Sequence, residues 1–337
     1  MAIKKARAAV ASSPEVESAA EEVLAKGNAV DAAVAGVFAA CAATPGVLLG
    51  PVQILLGGGG SGLRAFDGRV RQPGIGAPRP RGFQKGEEVP DAARVGVPWL
   101  AATCSAALAT AGTATFKQVI GPALALAKGS PRADVLAKIA ARGPRAMEER
   151  PLSSELLAIA GRPSAGLLTS DDLASPRPDV VTATRTKHGN RFVVELPWAR
   201  LEDGIPSAPA RAVSVGTTRA VIAVDRHGSF AVACWDEGID GLPLDEVGLR
   251  VPLFAEPVLR GETRIRPGDA RPAAAPIAFV ANEAGPEVAF AAFGAGDAYD
   301  VLRGAITSLL DEERIEAHGE ASLVAITHVK GVASVFR

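Results

Sequence analysis

Apolar residues recur at helical spacing over the first third of the chain. Ser13-Pro14 followed by Glu15, Glu17, Glu21 and Glu22 marks a helix start, with a capping hydroxyl, a proline in the first turn and acids near the positive end of the helix dipole. The pattern carries this helix to Gly27. Asn28 then caps a second helix with Val30, Ala33, Val34, Val37 and Phe38 on one face, and small side chains over 39–43 allow close helix contact. Residues 52–56 are a short apolar run, read as a buried strand entering Gly57-Gly58-Gly59-Gly60-Ser61-Gly62. Residues 62–66 and 69–72 predict a hairpin about Asp67-Gly68, a pair suited to a type I′ turn. Helical spacing returns over 99–111, 116–127, 133–141 and 154–160, and Ser170-Asp171-Asp172-Leu173 opens a short turn.

Beyond Val180 the period shortens to two. Strands are predicted over 180–186, 191–195, 212–224 and 229–234, with Asp225-Arg226-His227-Gly228 turning the last pair. Residues 274–282 and 288–293 form another pair, 297–310 a helix, and 322–327 and 332–336 two final strands. The proline-bearing stretch 197–211 reads as a loop. Helices first, antiparallel strands next and a late helix argue for an α+β layering rather than a Rossmann order.

Composition narrows the function classes. With 337 residues, 48% of them hydrophobic and only 4% aromatic, the core must be built mainly of Ala, Val and Leu. A net charge of −1 sets up no global field toward nucleic acid or anionic lipid, so neither partner is expected. Arg79, Arg81 and Lys85 read as a solvated loop. Cys41, Cys104 and Cys234 lack metal or disulfide spacing and are expected as buried free thiols; the four histidines show no ligand spacing. No metal or cofactor is expected. The basic start, Met1-Ala2-Ile3-Lys4-Lys5, lacks an adequate apolar region behind it, and no membrane span is predicted, so a cytoplasmic protein is expected.

Four blocks in order resemble the γ-glutamyltranspeptidase family. They are Ala9-Val10-Ala11-Ser12-Ser13-Pro14 through Gly27-Asn28-Ala29-Val30-Asp31-Ala32-Ala33-Val34-Ala35 to the glycine run; Val95-Gly96-Val97-Pro98; Gly166-Leu167-Leu168-Thr169 through Asp172-Leu173-Ala174, with 191–197 after it; and Gly216-Thr217-Thr218-Arg219 through Asp225 and Gly228. The resemblance implies the N-terminal-nucleophile hydrolase fold, a four-layer αββα sandwich of two stacked antiparallel sheets between helices. It implies one domain over 1–337, with 1–210 matching the family's large-subunit part and 211–337 its small-subunit part. The chain reads as a shortened member, because the long helical segment between the third and fourth blocks is mostly missing.

In this family a threonine at a strand start cuts its own chain, after which its hydroxyl is the nucleophile and its new α-amino group the base. Counting back from the Asp225–Gly228 turn selects Thr218; reading the threonine pair directly selects Thr217. Gly294 and Gly296 match the family's oxyanion donors. Elsewhere the match fails. Gly74-Ile75-Gly76 stands where the family has an arginine-glutamate pair, and Cys234-Trp235-Asp236-Glu237 where it has Thr-x-Asn. In place of its amino-group grip stands Pro252-Leu253-Phe254-Ala255-Glu256-Pro257, leaving Glu256 as the substitute ligand. Arg271-Pro272-Ala273-Ala274-Ala275 stands where the family has Arg-Pro-Leu-Ser-Ser, so two hydroxyls become methyl groups. These losses lead to the expectation of a noncatalytic, oligomeric or partner-binding scaffold. The alternatives are an active threonine amidohydrolase with an altered, more apolar substrate, and a small-molecule binding protein.

Overall fold

The computed structural model describes residues 6–60, 62–78, 80, 82–174, 176–208 and 217–337. Alternating small apolar side chains build two six-stranded antiparallel sheets that stack face to face. The first comprises Ala8–Ala11 (β1), Val52–Gly57 (β2), Arg64–Gly68 (β3), Asp179–Thr182 (β4), Thr218–Val224 (β9) and Phe230–Asp236 (β10), in the order β1-β9-β10-β2-β3-β4. The second comprises Thr184–His188 (β5), Arg191–Glu195 (β6), Ile277–Asn282 (β13), Gly285–Phe293 (β14), Ser322–Val329 (β15) and Val332–Phe336 (β16), in the order β16-β15-β14-β13-β6-β5. Two short ribbons pair Arg200–Glu202 (β7) with Ile205–Ser207 (β8), and Leu242–Leu244 (β11) with Leu249–Val251 (β12).

Alternation decides which layer each residue serves. Val10, Ile222, Phe230, Val232, Phe279 and Ile326 fill the space between the sheets. Ala9, Val221, Ala223 and Ala233 face the other way, toward the helices Pro14–Leu24 (α1), Ala29–Ala43 (α2), Leu100–Ala111 (α3), Phe116–Leu126 (α4), Arg132–Arg142 (α5) and Leu152–Ala160 (α6). A short helix, Ser170–Leu173 (α7), follows. On the outer face of the second sheet, Val301, Leu302 and Ile306 of Ala298–Glu312 (α8) cover Val280 and Phe290. The layers are therefore αββα. Each buried aliphatic or aromatic side chain contributes about 1.5–3 kcal/mol, so a core of small residues compensates by number and by close approach.

Helix starts follow the sequence. Ser13 caps α1, accepting from the Val16 amide. Asn28 and Asp31 form a reciprocal capping box on α2, and Asp31 also accepts from Thr113 and Ala114 at the end of α3. Helix α2 is buried almost all round because it is sandwiched between the first sheet and the other helices, which explains its lack of a polar face.

Three sequence expectations need correction. Asp67-Gly68 is not a hairpin turn; both residues lie in β3, which pairs with β2 on one side and β4 on the other. Asp67 is buried there and accepts two hydrogen bonds from the Arg69 guanidinium and one from the Arg69 amide, so its charge is paired rather than solvated. The stretch 180–186 is two strands in two sheets, with the chain crossing at the buried Ala183. The loop 197–211 carries the β7–β8 ribbon in its described part. Arg79, Arg81 and residues 209–216 lie outside the described residues. All three cysteines are buried and free. Among the described residues no helix is long and apolar enough to cross a membrane.

Candidate functional site

The β9–β10 hairpin sets the geometry. Its turn at Asp225–Gly228 fixes the register, so that Thr218 at the open end pairs with Asp236. Thr218 is fully buried, whereas Thr217, one residue earlier, is half-buried and lines a cavity of about 630 Å³. The Glu237 amide donates to the Thr217 carbonyl at 3.1 Å, extending the ladder past the strand end.

The Thr217 hydroxyl donates to Asp236 Oδ2 at 2.5 Å, and Asp236 Oδ1 accepts from the Gly238 amide at 2.7 Å. Burial pushes the Asp236 carboxyl above the ordinary aspartate value, with Asp240 adding to the rise; the Thr217 hydroxyl, the Gly238 amide and Arg219 oppose it. Arg219 is itself engaged, at 2.9 Å from Glu237 and at 2.9 Å from the Thr218 carbonyl.

The rest of the cavity is half polar and half apolar. Asp91, Arg94, Asp240, Glu256 and Arg271 supply charge; Val89, Ile239, Leu253, Phe254 and Pro272 supply an apolar wall. Arg271 is buried and paired with Glu256. Gln72 holds the Glu256 backbone from both sides, donating to its carbonyl at 2.8 Å and accepting from its amide at 3.1 Å. The Ala255 amide bonds the Arg94 carbonyl at 2.7 Å. This lacing fixes the apolar segment 252–256 as a wall of the cavity.

The residues singled out from sequence fare differently. Thr217 and Glu256 share the cavity, and Thr218 lies beneath it. Gly294, with φ of 99°, and Gly296 sit between β14 and α8 and do not line this cavity. Gly74-Ile75-Gly76 is tied elsewhere: the Gly74 and Ile75 amides donate to Asp172 at 2.8 and 2.9 Å, and Ile75 and Gly76 line a neighbouring cavity of about 730 Å³. Sequence reasoning set Asp236 aside as a mismatch. Its partnership was legible nonetheless, because counting equal steps from the Asp225–Gly228 turn puts it opposite the threonine pair. Arg94 and Asp91 left no such signal, since they are brought in by a short 3-10 turn, Asp91–Arg94, remote in sequence from the hairpin. Among the described residues there is no cluster of three metal-ligating side chains.

No family model matches the chain, and no curated protein matches it. Solved structures do. Cephalosporin acylase from Bacillus halodurans superposes with a TM-score of 0.75 at 14% identity, over 98% of this chain and 94% of that one. The structure of LmbA2991HD gives 0.74 at 14% identity, over 99% and 97%. γ-Glutamyltranspeptidase from Helicobacter pylori gives 0.51 at 21% identity, over 59% and 72%. At these identities the likeness is one of fold.

Proposed function

We propose, from the N-terminal-nucleophile hydrolase fold that the chain has, that it is an amidohydrolase or acyltransferase acting through the hydroxyl of Thr217. One observation carries this: Thr217 stands immediately before strand β9, its hydroxyl bonded to a buried carboxylate, on the wall of a partly polar cavity. A strand residue retained only for packing would have the surroundings of Thr218, which is fully buried.

The reaction class follows from the groups present. A hydroxyl nucleophile attacks the carbonyl carbon of an amide or ester, the acyl group passes to Thr217 Oγ1, and water or a second amine then removes it. In this reading the chain first cuts the bond before Thr217, which exposes the α-amino group as the base for later turnovers. Gly294 and Gly296 are the backbone oxyanion donors this reading proposes, although neither lines the Thr217 cavity.

The wall formed by Leu253, Phe254 and Ile239 favours a substrate with an apolar body. An ordinary γ-glutamyl head group would find Glu256 already paired with Arg271 and methyl groups at Ala274 and Ala275. Leaving such a charge without partners costs about 1–3 kcal/mol per lost contact or more.

The second reading is a noncatalytic scaffold used for assembly or partner binding. It is favoured by the same lost head-group ligands. Intact mass of the purified chain separates the two. Two pieces parted between residues 216 and 217, and one whole chain for Thr217→Ala, are the expected result. A wild-type chain that stays whole and turns over no amide supports the scaffold.

A further inference from the structure

We infer that Gly46, a residue outside the Thr217 cavity, is a positioning residue for the Thr217 hydroxyl and acts through the turn that follows β10. This rests on reading Thr217 as the nucleophile. Residues 236–238 hold that threonine from two sides. The Glu237 amide donates to its carbonyl at 3.1 Å, and Asp236 Oδ2 accepts from its hydroxyl at 2.5 Å. The Gly238 amide aims the carboxylate, donating to Oδ1 at 2.7 Å. Whatever places the backbone of 237–238 therefore places the hydroxyl.

Gly46 lies against that backbone. After α2, Pro45-Gly46 leads into a short 3-10 turn, Val47–Leu49. A Cβ on Gly46 would stand 2.3 Å from the Glu237 carbonyl oxygen and 2.4 Å from that of Gly238. The contact is reciprocal, since a Cβ on Gly238 would stand 2.9 Å from the Gly46 carbonyl oxygen and 3.0 Å from its Cα. Two backbones meet here with no side chain between them. Gly238 has φ of 60°, which favours glycine by itself. Gly46 has φ of −84° and ψ of −19°, a conformation open to any residue, so its bareness answers to the contact alone. The Arg250 amide donates to the Pro45 carbonyl at 3.0 Å and ties the turn in place. Gly46 is buried and does not line the cavity, so a methyl there alters no group that a substrate touches.

The aim of Asp236 has a readout of its own. Burial raises its carboxyl, with Asp240 adding to the rise, while the Thr217 hydroxyl, the Gly238 amide and Arg219 hold it down. The other groups around it are engaged or distant: Arg219 is paired with Glu237, Arg271 with Glu256, the Cys234 thiol behind it is held neutral by burial, and Asp91 and Arg94 belong to another wall. Pushing 237–238 away withdraws the amide bond and loosens the hydroxyl bond, so the carboxyl rises further.

Gly46→Ala is the test. Gly161→Ala, at the end of α6, is the control: its methyl meets the Leu157 carbonyl oxygen at 2.3 Å and is remote from the cavity lining. The Asp236 carboxyl is titrated by NMR in protein carrying isotope-labelled aspartate, its signal identified by its loss in Asp236→Asn. Turnover of p-nitrophenyl butyrate is measured alongside, counting the part that Thr217→Val abolishes. Gly46→Ala should move the Asp236 midpoint upward and lower kcat on the order of 10–100-fold with KM little changed. Gly161→Ala should lower the melting temperature and do neither. An unmoved midpoint or an unchanged kcat in Gly46→Ala overturns the inference while the Thr217 reading stands. If Gly46→Ala melts too low to titrate, Gly238→Ala presses on the same contact from the other side and decides by the same two measurements. A wild type with no turnover that depends on Thr217 overturns both.

Discussion

The indole N–H of Trp198 donates to Gln53 Oε1 at 2.5 Å, and this one contact ties together three parts of the site. Gln53 lies in β2 of the first sheet, while Trp198 follows β6 of the second. The amide nitrogen of Gln53 reaches the carbonyls of Ala273 and Ala274 at 3.3 and 3.4 Å, just beyond Arg271 and Pro272 on the wall of the Thr217 cavity. Gln53 is 2% exposed, so both ends of its amide depend on these partners. Trp198→Phe keeps most of the ring but removes the donor. It should lower stability by about 1–3 kcal/mol, the usual loss for a buried acceptor left unbonded. Urea denaturation measures this; an unchanged midpoint would show that the contact does not hold the wall.

Substitution in the glycine run should act on folding. Gly58 has φ of 84°, a left-handed conformation that side chains with a branched Cβ avoid, and a Cβ there would overlap the carbonyl oxygen of Gly228 in the β9–β10 turn. Gly58→Val should therefore cost several kcal/mol, on the scale of combined backbone strain and overpacking. A soluble variant with the wild-type melting temperature would contradict this.

Glu195 makes stability pH-dependent. It lies fully buried in β6, where Oε1 accepts from the Thr186 hydroxyl at 3.1 Å and Oε2 has no partner among the described residues. Burial raises its carboxyl from 4.5 to about 7, with the Thr186 hydroxyl opposing the rise. The folded chain thus keeps a proton that the unfolded chain gives up near 4.5. Below that value the contribution is fully present; it is lost as pH rises through about 7. Melting temperature should fall between about pH 5 and pH 7 for this reason, and Glu195→Gln should flatten that part of the curve. An equal slope in the variant would assign the dependence to another group.

Much of the fold was legible because it rests on local rules. The Ser13 and Asn28 caps, the Asp225–Gly228 turn and the alternation along β9, β10, β14 and β15 each depend on a few adjacent residues. What escaped depends on distant partners. Asp67-Gly68 has the chemistry of a turn, but Arg69 and Arg71 neutralise Asp67 and strands on both sides claim the backbone. The break at Ala183 is invisible locally, since 180–186 is one uninterrupted β-forming run and only the second sheet decides where it leaves the first. At the site, the threonine pair was found, but its two members are equivalent until the depth of burial separates them. The cavity wall draws on residues near 90, 236, 253 and 271, and no spacing rule joins these positions.

That separation of Thr217 from Thr218 gives the sharpest prediction. Both are β-branched and both suit a strand end, so valine at either place preserves shape while removing a hydroxyl. At position 217 the change removes the group that faces the cavity and bonds Asp236, leaving that carboxylate without its hydroxyl donor. Thr217→Val should fold, remain a single chain and show no amide turnover. At position 218 the hydroxyl is fully buried, so Thr218→Val should lower stability by about 1–3 kcal/mol yet still be cut and still turn over substrate. Intact mass, thermal melting and acyl-enzyme trapping by mass spectrometry read the three quantities separately. If Thr218→Val stays whole while Thr217→Val is cut, the count from the Asp225–Gly228 turn names the nucleophile, and the cavity-facing hydroxyl is only its neighbour.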